Sequence, residues 1–249
     1  MTRVRVNYFD TDVAATYDEG SVEMFDPAVL GPTVELLADL AAGRPALELA
    51  VGTGRVAIPL AAHGVSVHGI ELSQAMVDRL RAKPGGDTVT VTVGDMVDTR
   101  VPGEFGLVYL VFNTIGNVTT QDDQVAVFEN AAAHLVPGGC FVVEKSLPIL
   151  RRLPGDERFA VFDHSDEHVG IDEYDTVTQL MWSHHYSSDD GGATYHRTSV
   201  PFRYAWPAEL DLMARIAGLR LRDRWADWDR SEFTSSSTKH VSVWEKIGA

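Results

Sequence analysis

Residues 46–57, ALELAVGTGRVA, join a short apolar run to an amphipathic one through a turn that contains Gly52 and Gly54. The apolar run predicts a buried strand over 46–50, and the following segment, 55–63, predicts a helix that ends before a glycine. Glycine permits a tight turn and lets a ligand approach a helix N-terminus, where unpaired N–H groups favour an anionic group. This stretch therefore predicts a strand–loop–helix unit that binds a ligand.

Strand-like and helix-like segments alternate on either side of this unit. Helices are predicted at 25–42, after a cap at Ser73 and after a cap at Thr120. Further strands are predicted, from their apolar and β-branched residues, at 65–71, 89–93, 105–112 and 140–144. Such regular alternation predicts an α/β fold in which helices cover both faces of a parallel sheet.

The pattern changes after Lys145. Two β-rich runs, 176–186 and 193–204, flank a hairpin signal at 189–192 and predict an antiparallel insertion. The chain then closes with a helix from Pro207 and with strands at 219–225 and 239–246. We therefore expect three parts: an N-terminal segment with the ligand-binding half of the main domain, the insertion, and the completion of the main sheet, at 1–145, 146–205 and 206–249.

The composition limits the classes of partner. The chain has 249 residues, 45% of them hydrophobic, and a net charge of −15. No apolar run reaches the roughly 18 residues of a membrane span, no apolar signal-peptide core is visible, and one cysteine, Cys140, gives no disulfide framework. We expect a cytoplasmic monomer or homodimer without membrane partners. The acidic excess also disfavours nucleic acid, which leaves a small molecule or a protein as the partner.

Three acidic residues near the ends of the first three strands distinguish two classes of ligand. Glu71, at the end of the second strand, can accept hydrogen bonds from ribose hydroxyls, which also fits NAD. Glu48, however, would repel a pyrophosphate and would suit an ammonium group. Asp95 could accept from an adenine amino group, while the N–H of Met96 reaches a ring nitrogen. A ligand that combines an amino acid, a ribose and adenine is S-adenosylmethionine.

Five motifs, together with the C-terminal part at 204–246, carry a family resemblance over nearly the whole chain. They are LELAVGTGR (47–55), VHGIELS (67–73), VGDM (93–96), FGLVYLVFNTIGNVTT (105–120) and LVPGGCFVVE (135–144). In order and spacing they resemble class I S-adenosylmethionine-dependent methyltransferases, of the small-molecule type with an antiparallel lid after strand five. Ala50 stands where the family has its first loop glycine, and Gly106 where it often has aspartate.

The resemblance implies a Rossmann-like, seven-stranded, mostly parallel sheet whose last strand, 239–246, runs antiparallel and inserts between strand five and its predecessor. Glu48 would hold the methionine ammonium group and Glu71 the ribose. Leu72 would pack on the adenine. The cofactor-binding residues implied in this way are Tyr17, Glu48, Ala50, Gly52, Thr53, Gly54, Arg55, Glu71, Leu72, Met76, Asp95, Met96, Val111 and Phe112.

The resemblance also implies transfer of a methyl group from S-adenosylmethionine to a nitrogen or oxygen nucleophile, without a metal. The enzyme mainly aligns nucleophile, methyl and sulfur. An oxygen nucleophile needs a base, whereas an amine need only arrive unprotonated. His184 is the preferred base, because strand alternation would turn it inward with Leu180, Trp182 and Tyr186. A partly exposed histidine on the strand surface is the alternative interpretation.

Two further catalytic candidates lie outside the lid. Asn113, at the end of strand four, could orient a nucleophile, and Tyr17 lies in the segment where relatives close a flap over the cofactor. The residues expected to line the substrate pocket are Tyr8, Asn113, Trp182, Tyr186, Arg203 and Tyr204. The alternative is aromatic packing of the terminal segment for Tyr8 and Tyr17, turn formation for Asn113, and filling of the core for Arg203 and Tyr204. Two other functions stay open: a methyltransferase fold that binds the cofactor without methylating, and a nicotinamide-dependent oxidoreductase.

Overall fold

The computed structural model describes residues 7–9 and 11–248. The strands are β1 (Ala46–Leu49), β2 (Val67–Glu71), β3 (Thr90–Val93), β4 (Phe105–Leu110), β5 (Leu135–Ser146), β6 (Phe159–His164), β7 (His168–Asp175), β8 (Leu180–Ser187), β9 (His196–Arg203), β10 (Leu219–Trp225) and β11 (Lys239–Lys246). The α-helices are α1 (Thr11–Thr16), α2 (Pro27–Ala41), α3 (Ala57–Ala62), α4 (Gln74–Ala82), α5 (Gln121–His134) and α6 (Pro207–Ile216).

The main sheet has seven strands in the order β10–β11–β5–β4–β1–β2–β3. The five strands from β5 to β3 are parallel, whereas β11 is antiparallel to both β5 and β10. This confirms the predicted α/β fold with an antiparallel last strand. The expected position of β11 in the sheet is wrong. β11 does not lie between β4 and β5, which pair directly, but between β5 and β10.

Two apolar layers cover the main sheet, one on each face. Successive residues of β4 point alternately into the two layers. Val108 belongs to the layer with α5 and α6, and Leu107 to the layer with α2 and α3. In the first layer the rings of Phe128, Phe141 and Trp244 lie 5.0–6.3 Å apart and cross mostly edge to face. Because both faces are buried, the strands read as continuous apolar runs.

Caps set several element boundaries. The Ser73 side chain accepts the Met76 N–H at the start of α4, and the Thr120 side chain accepts the Asp123 N–H at the start of α5, as predicted. The predicted fourth strand runs two residues too long, since β4 ends at Leu110. The sequence predicts a fifth strand from residue 140, but β5 begins at Leu135 and includes the Pro-Gly-Gly sequence that is predicted to separate helix from strand.

The insertion forms its own antiparallel sheet, β6–β7–β8–β9, within 146–205. Residues 176–179 form a turn, so the third strand begins at Leu180 and not at residue 176. The expected inward facing of this strand holds for His184, which is buried, but not for Trp182. Met181 packs against Tyr174 and Tyr204, whereas Trp182 is 41% exposed.

Within the described residues, no helix has the length and apolar character that crossing a membrane requires.

Candidate active site

The carboxyl ends of β1, β2, β3 and β4 enclose a cavity of about 400 Å³, which we call the first cavity. It lies where the sheet order reverses, because β1 is flanked by β2 on one side and β4 on the other. Open α/β sheets bind ligands at this crevice. Residues 7–9 and the turn after β4 complete its walls. The predicted site residues that line it are Tyr8, Ala50, Glu71, Leu72, Asp95 and Met96.

The glycine loop turns by left-handed backbone conformations at Ala50, Gly52 and Gly54, with φ of 56°, 55° and 81°. At Gly54 a Cβ atom would lie 2.9 Å from side-chain atoms of both Ile58 and Leu80. Glycine is therefore required there by backbone and by space. Ala50 occupies its position with a conformation that alanine rarely adopts, which identifies the loop as locally strained.

Glu71 connects the two loops that follow β1 and β2. Its carboxylate accepts the Gly52 N–H at 2.8 Å and the Ser73 N–H at 2.9 Å. Burial raises the pKa of this carboxyl group, although the backbone hydrogen bonds oppose the shift. The side chain lines the first cavity, in the position expected for a ribose-binding acid.

The adenine-binding candidates lie at the other end of the same wall. Leu72 lines the first cavity with 41% of its surface exposed, which offers an apolar face to a planar ring. The Asp95 carboxylate accepts the Val97 N–H at 2.9 Å, and this bond fixes the turn after β3. The cavity wall therefore combines an apolar surface and acidic oxygens that fit an adenosine. Met76, by contrast, is buried in the interior.

Glu48 lies behind the loop and does not line the first cavity. It is 2% exposed and accepts a hydrogen bond from the Tyr109 hydroxyl at 2.9 Å. Burial raises the pKa of its carboxyl group to about 8. A role in holding an ammonium group stays a prediction, and it would require this carboxyl group to lose a proton.

The N-terminal segment is attached to the glycine loop by residues that sequence reasoning missed. Asp18 accepts the Thr53 hydroxyl at 2.6 Å and pairs with Lys83 Nζ at 2.6 Å. The Ser73 hydroxyl donates to the Phe9 carbonyl. The position of Asp18 next to Tyr17 was visible in the sequence, but its partners lie more than thirty residues away. Tyr17 packs edge to face on Phe9, and burial raises its pKa.

The turn after β4 has left-handed conformations at Phe112 and Asn113, with φ of 56° and 62°. Asn113 Oδ1 accepts the Ser146 N–H at 2.5 Å, so its amide oxygen joins the ends of β4 and β5. The Phe112 N–H donates to Glu144 Oε2 at 2.8 Å, and the Arg55 guanidinium lies 5.2 Å from the Phe112 ring. Val111, expected at the cofactor, is instead buried in the layer under α2.

The lid candidates contact other parts of the lid or the helices, and none lines the first cavity. His184 is buried, with Nδ1 2.8 Å from Ser199 Oγ and Nε2 3.4 Å from Glu173. Trp182 and Tyr186 lie on the same strand, the first exposed and the second half-buried.

The two candidates from the end of β9 serve the packing of the lid. Arg203 is buried and bonds Gln124 at 2.6 Å and Glu209 at 2.7 Å, which attaches the lid to α5 and α6. The Tyr204 hydroxyl donates to the Asp175 carbonyl at 3.2 Å. Both residues therefore have structural partners that the strand pattern did not reveal.

Comparison with known proteins gives the family. Residues 46–139 match the family described as methyltransferase domain. The CcbJ methyltransferase from Streptomyces caelestis is similar over 95% of this chain and 96% of its own, with 38% identity and a TM-score of 0.83.

Two other relatives are similar over most of the chain. Cypemycin N-terminal methyltransferase from a Streptomyces species is 27% identical, over 93% of this chain and 98% of its own. The S-adenosylmethionine-bound amino pentose methyltransferase CalS10 from Micromonospora echinaspora shares the fold, with a TM-score of 0.68 and 19% identity over 98% of this chain and 100% of its own. The chain belongs to the class I S-adenosylmethionine-dependent methyltransferases, and S-adenosylmethionine is its methyl donor.

Proposed function

We propose that this enzyme methylates an amine nitrogen of a small natural product. The supporting observation is the set of titratable groups around the site. Two cavities are concerned, the first cavity and a second cavity beside Arg55. The described side chains that line them include more carboxylates than cations and no histidine. An amine needs no strong base at the site and is attracted, when protonated, by carboxylates. The names of two relatives, a cypemycin N-terminal methyltransferase and an amino pentose methyltransferase, point the same way.

The bound cofactor supplies an electrophilic methyl group on a sulfonium. An acceptor nitrogen would take this methyl group by displacement, and the electron pair of the broken carbon–sulfur bond would stay with S-adenosylhomocysteine. The resulting methylammonium releases a proton to solvent. The chain contributes alignment and exclusion of water.

We assign the residues around the first cavity to these tasks. Glu71 binds the ribose, Leu72 packs on adenine, and the Asp95–Met96 turn binds its edge. The N-terminal segment, attached through Asp18, closes the cavity from solvent. The role of His184 as a general base stays a prediction. An O-methylating enzyme would need such a base, whereas an N-methylating enzyme would not.

A turnover assay tests the proposal. Purified protein and S-adenosylmethionine are incubated with a panel of amines and with phenols and alcohols of matching shape, and the products are measured by mass spectrometry. We expect one or more methyl additions on amines only. Methylation of phenols or alcohols with none of amines would contradict the proposal, and reactions with S-adenosylhomocysteine in place of the donor provide the blank.

We further infer that nucleic acid is not the acceptor, which the net charge of −15 supports. A cytoplasmic location and a monomeric or homodimeric state stay predictions. Sedimentation of the purified chain at several concentrations tests the latter.

A further inference from the structure

A second cavity, of about 280 Å³, lies on the α2 side of the main sheet, at the carboxyl end of β5. Its apolar walls include Met24, Pro32 and Trp228. Charged groups from the glycine loop, from β5, from the β10–β11 connection and from the start of β11 complete it. Ligand pockets commonly have this character, with apolar walls and a few placed polar groups.

The buried charged group of this second cavity is the carboxylate of Glu144, which is 8% exposed. Its Oε2 accepts the Phe112 N–H at 2.8 Å, and within the described part of the chain it forms no ion pair. Of the two cations that line this cavity, Lys239 is paired with Asp227 at 2.7 Å, and the Arg55 guanidinium lies 5.2 Å from the Phe112 ring. A buried carboxylate with one hydrogen bond and no counter-ion is costly, and a cationic or N–H-bearing ligand relieves that cost.

The second cavity borders the same turn as the first. Thr114 lines the first cavity, while Glu144 and Arg55, which line the second, both contact Phe112 two residues earlier. The turn after β4 therefore lies between the space for the cofactor and a separate space with its own carboxylate. Methyl transfer requires a cofactor space and an acceptor space that adjoin, and both of these spaces border the same turn.

We propose that the second cavity is the acceptor subsite and that Glu144 binds the acceptor amine. The amine donates an N–H to the Glu144 carboxylate, and its apolar body lies against Trp228 and Pro32. An acceptor that arrives as an ammonium ion releases one proton to solvent before attack and keeps an N–H directed at Glu144. This inference rests on the proposed amine methylation and adds the residue and the space that select the amine.

The test measures binding without turnover. The protein is loaded with S-adenosylhomocysteine and titrated by calorimetry with three amines, benzylamine, cyclohexylamine and glucosamine, and with their hydroxyl counterparts benzyl alcohol, cyclohexanol and glucose. Glu144→Gln keeps the size of the side chain and an oxygen for the Phe112 N–H. Glu35→Gln, at an exposed acid on α2 that does not line the cavity, is the control for loss of one negative charge.

We expect at least one amine to bind wild type and Glu35→Gln alike, to bind Glu144→Gln at least tenfold more weakly, and to bind better than its hydroxyl counterpart. Equal amine binding in wild type and Glu144→Gln would overturn the inference, as would a panel in which no amine binds. Tight S-adenosylhomocysteine binding in every variant shows that folding and the cofactor site are intact. Methylation of hydroxyl compounds and of no amine, with amine binding that still depends on Glu144, contradicts the proposed function and leaves the binding site standing, so the two failures are distinguishable.

Discussion

The buried carboxyl group of Glu48 makes the stability of the cofactor-free protein depend on pH in a specific way. Burial raises its pKa from 4.5 to about 8. Between these values the folded protein holds a proton that the unfolded chain has lost, so the free energy of unfolding falls as pH rises. Glu48→Gln, which is neutral at every pH and similar in shape, should remove this dependence.

The magnitude follows from the width of the interval. His240 acts in the opposite direction, because burial lowers its pKa from 6.5 to about 3, and this gives stability that rises with pH up to 6.5. The effect of Glu48 is therefore clearest between pH 6.5 and 8, about 1.5 pH units, which corresponds to about 2 kcal/mol. For a domain of this size that is roughly 4–8 °C in Tm.

Urea unfolding of wild type and Glu48→Gln at half-unit steps of pH measures the difference. The variant should gain about 2 kcal/mol relative to wild type between pH 6.5 and 8 and be close to wild type near pH 5. Parallel curves would show that Glu48 is ionised in the folded protein and would refute the reasoning. Calorimetry of cofactor binding in two buffers then tests the ammonium contact, since ionisation of Glu48 on binding releases a proton near pH 7 that Glu48→Gln cannot release.

Three further changes test the surroundings of the site. Asp18→Ala removes the bond to Thr53, and we expect S-adenosylhomocysteine to bind about tenfold more weakly by calorimetry, because the N-terminal wall loses its anchor. Gly69→Ala places a Cβ 2.6 Å from Val51, and urea unfolding should show a loss of about 1–3 kcal/mol, whereas unchanged stability would mean that the loop moves freely. His240→Leu should reduce the loss of stability on acidification from pH 6.5 towards 3, measured by thermal unfolding against wild type.

The main fold could be predicted because local patterns and topology agree. Capping residues such as Ser73 and Thr120 fix helix starts within one turn, and parallel strands buried on both faces give unmistakable apolar runs. The errors lie where a few backbone angles decide. β4 ends two residues before its predicted end, and left-handed conformations follow at Phe112 and Asn113. β8 begins at Leu180 because residues 176–179 form a turn.

The residues expected to bind the adenosine part of the cofactor could also be predicted from the sequence, because they lie at or just after the ends of consecutive strands. Glu71 is the last residue of β2, Asp95 lies two residues after the end of β3, and both line the first cavity. Glu48 shows the limit of this reasoning. Its position on the strand does not reveal that the Glu48 carboxyl group is hydrogen-bonded to Tyr109, from the neighbouring strand, and does not line the first cavity.

The second cavity could not be predicted because its walls depend on strand register between distant segments. In the sequence Glu144 is one polar residue near the end of an apolar strand. Pairing of β11 with β5 places Lys239 opposite Ser146, so β11 begins beside the end of β5. The connection that precedes β11 is thereby brought over Glu144, with Trp228 as a wall. A shift of this pairing by one residue would exchange the faces of β11, turn Lys239 away from the cavity and displace the connection that carries Trp228. The antiparallel register that completes the sheet therefore also shapes the space in which we place the acceptor.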